Sequence, residues 1–174
     1  MCSSDLGDTQ YQWLKQTLEQ SRAKWKFVFA HHVNGTGRGG VEVADEFEWG
    51  GKNANGTDGF AANRPGWAMP IHQLFVANKV TIFFQAHDHL FARQELDGVV
   101  YQELPNPADN TYTAFNEDAY RSGDRFPNAG YVKVSVDPTA VNVQYIRMFL
   151  PRDEAPPNKV SGMVQFAYTV RASQ

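Results

Sequence analysis

Val80-Thr81-Ile82-Phe83-Phe84-Gln85-Ala86-His87-Asp88-His89 is a short apolar run that stops at two histidines, and upstream Phe27-Val28-Phe29-Ala30-His31-His32 does the same. Short runs rich in β-branched and aromatic residues read as buried strands, so strands are predicted over 25–30 and 79–86. A helical pattern precedes each. Tyr11, Leu14 and Leu18 share one face of a helix predicted over 9–23, with Thr9 as its cap and Gln12 completing a capping box. Pro70 opens a second helix at its first position, and Ile71, Leu74 and Phe75 form its buried face. Such helix–strand units build a layered α/β fold, and layered α/β folds bind ligands beyond the carboxyl ends of their strands. Four of the five histidines stand there.

Working outward, residues 34–67 form a long irregular segment holding 9 of the 14 glycines. Its aromatics, Phe47, Trp49, Phe60 and Trp67, imply an ordered loop packed over something. Downstream, strands over 91–96 and 99–104 flank Asp97-Gly98, a type I′ hairpin signal. A polar loop is expected over 105–128. Strands follow over 131–136 and 141–148, joined through Asp137-Pro138-Thr139, and a last strand covers 163–170. The chain shows neither an internal repeat nor a low-complexity tract.

At 174 residues, 42% hydrophobic and 20% charged, the composition is that of one globular domain. A net charge of −3 and a pI near 5.9 give no nucleic-acid-binding signature. No apolar run approaches the roughly 20 residues of a membrane-spanning helix. Cys2 stands alone, which excludes an internal disulfide. Met1-Cys2-Ser3-Ser4-Asp5-Leu6 lacks the basic and apolar parts of a signal peptide. It reads as the in-frame translation of a sequencing-adapter end, so residues 1–6 are taken as non-native and 7–174 as part of one domain. Asn34-Gly35-Thr36 and Asn55-Gly56-Thr57 match glycosylation sequons, although Asn-Gly is also ordinary turn chemistry.

Neutral imidazole is the commonest metal-ligating side chain. Residues two apart on an extended strand share a side, so His87 and His89 would present both rings to one point if the backbone there stays extended. One histidine at a strand end is usually an ordinary polar residue. An H-x-H and an H-H at two equivalent strand ends favour a metal. His72, inside a helical pattern, reads as structural.

At these residues the chain resembles the calcineurin-like metallophosphoesterase superfamily, near its purple acid phosphatase branch. The family's last two motifs are a histidine after an apolar strand and Gly-His-x-His, here Ala30-His31-His32 and Ala86-His87-Asp88-His89. The Gln10-x-x-Trp13-Leu14-x-x-x-Leu18 pattern resembles the helix before the first. The stretch over 91–105 is similar to that of bacterial metallophosphoesterases. The resemblance covers most of residues 9–170, with Ala86 replacing the usual Gly and Val33 a frequent Pro. It implies the carboxy-terminal part of a four-layer α/β/β/α sandwich. It also implies two divalent or trivalent metal ions, iron, zinc or manganese, which polarise a phosphoryl oxygen and activate an attacking water. His31 and His87 would bind one metal and His89 the other. His32 would serve catalysis from behind the ligands or beside the substrate, and Arg38 and Arg64 would meet the phosphate of a small phosphorylated substrate. A periplasmic or secreted location belongs to the same resemblance. The family's Asp-x-His, Gly-Asp-x-x-Asp and Gly-Asn-His motifs are absent. Gly7-Asp8 reads as helix-start chemistry, so the chain is expected to carry the histidine ligands alone and to be inactive by itself.

Two alternatives stay open. A mononuclear cupin-like metal enzyme also pairs H-x-H with a glutamate, here Glu95, but Thr81 stands where cupins place glycine. A non-enzymatic β-rich module could recognise sugar through Trp49, Trp67 and Tyr101.

Overall fold

The computed structural model describes residues 6–31, 33 and 38–172. Helix α1 (Asp8–Gln20) starts one residue earlier than the sequence pattern suggests and stops three before its expected end. Its N-cap is Gly7 and no side chain caps it, so the Thr9 capping box does not form. Asp8 faces the positive end of the helix dipole and accepts a hydrogen bond from Trp67 Nε1 at 2.6 Å. Strand β1 (Phe27–Phe29) follows. The glycine-rich segment is ordered where it is described, with a 3-10 turn (Val41–Val43) and two one-turn helices, α2 (Phe47–Gly50) and α3 (Phe60–Asn63). Helix α4 (Ile71–Ala77) takes Pro70 as its N-cap and buries Ile71, Leu74 and Phe75 as expected. Seven residues do not make a stable helix in water; burial of that face holds it.

Strand β2 (Ile82–Gln85), the hairpin β3 (Phe91–Leu96) and β4 (Val99–Glu103), and β5 (Asp124–Phe126) complete the first sheet, in the order β1-β2-β4-β3-β5. The hairpin turn has φ of 50° at Asp97 and 81° at Gly98, the positive pair a type I′ turn requires. β1, β2 and β4 run parallel, and β3 lies antiparallel to β4 and β5. The parallel ladder rules out the antiparallel barrel of a cupin. Strand β5 was missed in the sequence because three residues, Asp124-Arg125-Phe126, carry too short a pattern to stand out from a polar loop. The second sheet is a meander of β6 (Gly130–Val136), β7 (Ala140–Arg147) and β8 (Val164–Arg171).

Alternation along β2 and β4 makes two cores. On one face Phe83, Val99 and Tyr101 pack with Tyr11 and Leu18 of α1, Trp49 of α2 and the buried face of α4. On the other, Ile82, Phe84 and Val100 meet Val141 and Val143 of β7, with Tyr168 and Val170 of β8. Phe91 stacks on Tyr145 at 4.8 Å between the sheets. The layers are therefore α/β/β. The described residues supply no helix over the outer face of the second sheet, so three of the four expected layers are present. That face carries Lys133, Ser135, Asn142, Gln144 and Thr169, and its polarity suits water. Trp49, Trp67 and Tyr101 are buried in the first core, which removes the surface a sugar-binding module would need.

Candidate metal centre

The parallel register Phe29↔Phe84 brings the carboxyl ends of β1 and β2 side by side. The ladder continues past both strands: Ala30 N donates to Phe84 O at 3.1 Å and Ala86 N donates to His31 O at 2.8 Å. His31 Nε2 and His87 Nδ1 consequently lie 3.2 Å apart, the rings at 77° to one another. Two imidazole nitrogens bound to one tetrahedral ion at about 2.1 Å each would stand about 3.4 Å apart, so this hydrogen-bonded pair is already near the spacing of two ligands sharing a metal.

The loop after β2 is not extended. His87 has φ of 104° and His89 of 50°, so the strand alternation proposed for them does not apply. Non-glycine residues in this half of the Ramachandran plot cost about 1–3 kcal/mol each and persist only where their surroundings fix them. Here the fixing is visible. Ala86 is tied to His31, Asp88 N donates to Glu103 Oε1 at 3.0 Å, and Asn128 Nδ2 donates to the carbonyl of His89. Topology accounts for the second tie. The chain leaves β2, crosses over the end of β4 and enters β3, so Glu103 lies under the loop.

Asp88 points inward between two outward histidines and is 2% exposed. Its carboxylate accepts from Arg38 Nη1 at 2.7 Å, Gly39 N at 2.9 Å, Tyr120 Oη at 2.9 Å and Asn116 Nδ2 at 3.4 Å. Only glycine fits at 39, where φ is 106° and a Cβ would meet the Ala119 carbonyl at 2.8 Å. Glu103 is also buried. Loss of hydration raises its pKa to about 8, and the nearby Asp88 charge adds to the rise against the Asp88 amide. Tyr120 is pushed well above the usual phenol range, first by burial and then by the Glu103 and Asp88 charges. Glu103, Tyr120 and Gln85 were not singled out in the sequence. The available signal was a polar residue ending each apolar strand, since Gln85 and Glu103 are register partners.

The other predicted site residues fall as follows. His89 is exposed, tilted against Phe115 at 6.3 Å, and near enough to Asp109 to help lower that carboxyl, after the Thr111 hydrogen bonds. No described contact joins it to the His31–His87 pair. Among the described residues no three His, Cys, Asp or Glu side chains converge as a metal-binding group. His31 and His87 are two neighbouring imidazole donors, and no described carboxylate completes a metal-binding group with them. His32 and the Asn34-Gly35-Thr36 sequon lie outside the described residues. Arg38 is half-exposed beside the loop through its ion pair with Asp88. Arg64 has Glu48 at 3.5 Å, the Asn63 carbonyl and the Trp67 ring as described partners. His72 is structural, held between Tyr101 Oη at 2.8 Å and Asp97 Oδ2 at 3.0 Å.

The two packed sheets with helices on one face are similar in fold to part of the α/β sandwich of a purple acid phosphatase. The structure of the purple acid phosphatase PPD1 from yellow lupin (Lupinus luteus) seeds matches 96% of this chain with a TM-score of 0.52 at 18% identity. GAP50, the anchor in the inner membrane complex of Plasmodium, matches 96% with a TM-score of 0.57 at 8% identity. The chain spans 29% of the first protein and 43% of the second. No family model matches, and no curated protein matches. Identities this low show the fold alone, and one fold hosts many functions.

Proposed function

We propose that this chain is the histidine-bearing part of a metal-dependent phosphoesterase acting on a small phosphate ester. The observation that carries the reading is the 3.2 Å approach of His31 Nε2 and His87 Nδ1 beyond the ends of two parallel strands. The contact is a hydrogen bond between the two rings when no ion is bound, and it lies beyond the carboxyl ends of parallel strands, where layered α/β folds bind their ligands. His31 and His87 would hold one ion and His89 the second, the metals being iron, zinc or manganese. When bound, the ions supply Lewis acidity at a phosphoryl oxygen and an activated water. The residues of this chain fix the imidazoles and hold Arg38 near the loop, where its guanidinium can face an anionic substrate. His32 stands next to a ligand and is the candidate for contact with the substrate. On this reading the carboxylate ligands would be supplied by residues other than those of this chain, and a periplasmic or secreted setting goes with it.

The test begins upstream of the codon for Gly7. The source DNA is sequenced there, and the longest open frame is expressed with Mn²⁺, Zn²⁺ or iron. Release of phosphate from p-nitrophenyl phosphate is expected, with a loss of about 100-fold or more in His87→Ala. Full turnover by His87→Ala, or by the 174-residue chain alone, would overturn the reading.

A further inference from the structure

Asp88 has a place in the fold that the proposed chemistry does not use. Its carboxylate is buried and binds two segments remote in sequence. Arg38 and Gly39 belong to the glycine-rich loop, and Asn116 and Tyr120 bracket the 3-10 turn Glu117–Ala119. Its own amide is held by Glu103 at the end of β4. The residues on either side, His87 and His89, adopt positive φ. A surface aspartate between two ligands would leave that backbone free to relax. A buried one with charge-assisted bonds to a guanidinium, an amide and a phenol does not.

We propose that Asp88 is the positioning residue of this site: it fastens the histidine loop to the glycine-rich loop and to the 116–120 turn, and so sets the directions of His87 and His89 and the place of Arg38. The consequence for metal binding rests on the phosphoesterase reading; the fastening itself does not. Outer partners that orient ligands alter metal affinity by about 10–100-fold when removed. A purely structural aspartate would instead change stability throughout the molecule.

The experiment compares the wild-type chain with Asp88→Asn, and with Tyr120→Phe as a milder variant should Asp88→Asn fail to fold. Amide hydrogen exchange is followed at Gly39, over 87–90 and at Val143 in the second sheet. Zn²⁺ binding is titrated by calorimetry in parallel. Exchange about tenfold faster at Gly39 and 87–90, unchanged at Val143, with Zn²⁺ affinity reduced about 10–100-fold, is the expected result. The same local rise in the variant, with a wild-type chain that binds no Zn²⁺, would keep Asp88 as the fastener and remove the metal reading. Unchanged exchange over 87–90, or a rise shared equally by Val143, would overturn the proposal.

Discussion

His31 Nε2 lies 3.2 Å from His87 Nδ1 although 56 residues separate them in sequence. The approach is built by the backbone. β1 and β2 are in parallel register, and the hydrogen bond from Ala86 N to the His31 carbonyl extends the ladder to the histidines themselves. The pair is therefore present before any ligand arrives, which lowers the ordering cost of binding.

Removing either ring should weaken zinc binding. His31→Ala and His87→Ala are each expected to reduce Zn²⁺ affinity at least about tenfold, since each deletes one of two neighbouring donors. Calorimetric titration with a melting curve on each variant checks this. Binding equal to wild type in both variants would mean that zinc sits elsewhere.

His72 should behave in the opposite way. It is 8% exposed and bridges the Tyr101 phenol and the Asp97 carboxylate. His72→Ala strands the Tyr101 hydroxyl in a site where burial, and then the Asp97 charge, already raise its pKa. The expected cost is about 1–3 kcal/mol of stability, with zinc affinity unaltered. Urea unfolding of the variant measures the first and a metal titration the second.

Much of this was legible in the sequence because burial leaves a period. The alternation that sends Phe83 to the helices and Ile82 and Phe84 to the second sheet is written in an unbroken apolar run. The Asp97-Gly98 turn follows from the few residues that accept positive φ. The site was legible only as residue types at strand ends. The positive φ of His87 and His89 and the contacts that fix Asp88 depend on Glu103, Gly39 and Tyr120, which lie 15 to 49 residues away. No local pattern encodes such distant partners. Helix α1 shows the converse failure. Thr9 offered a plausible cap, yet the chain starts the helix at Asp8, where Trp67 Nε1 holds the carboxylate.

The open edge of the first sheet should drive self-association. Among the described residues β1 ends the sheet, with Phe29 70% exposed and Trp13 of α1 62% exposed beside a cleft of about 380 Å³ lined by Leu14, Val28 and Val33. Exposed apolar edges are sites of strand addition and aggregation. Phe29→Lys is expected to lower light scattering of the concentrated chain and to cost less than about 1 kcal/mol, because so little of the ring is buried. Phe83→Ala, which empties a fully buried site among Trp49, Phe75 and Tyr101, should instead cost about 3–5 kcal/mol. Undiminished scattering by Phe29→Lys would place the sticky surface elsewhere.

Glu103 should make the fold weaken as pH rises. Burial is the main cause of its raised pKa, from 4.5 to about 8, and the Asp88 charge adds to it. The folded chain therefore keeps a proton that the unfolded chain gives up near 4.5. Below that pH both states hold it and the contribution is complete. Between 4.5 and about 8 the unfolded state binds fewer protons, so stability falls with rising pH, and above about 8 the contribution is gone. The slope is at most about 1.4 kcal/mol per pH unit. Glu103→Gln keeps an acceptor for the Asp88 amide and removes the titration, so its stability should be flatter over the same range. Urea unfolding of both proteins from about pH 5 to about pH 9 tests this. The wild type should lose stability relative to the variant until about pH 8 and then run parallel to it. Parallel curves throughout would mean that Glu103 is ionised in the folded chain, and the buried acid under the histidine loop would have to be redrawn as a charge held by Tyr120 and the Asp88 amide.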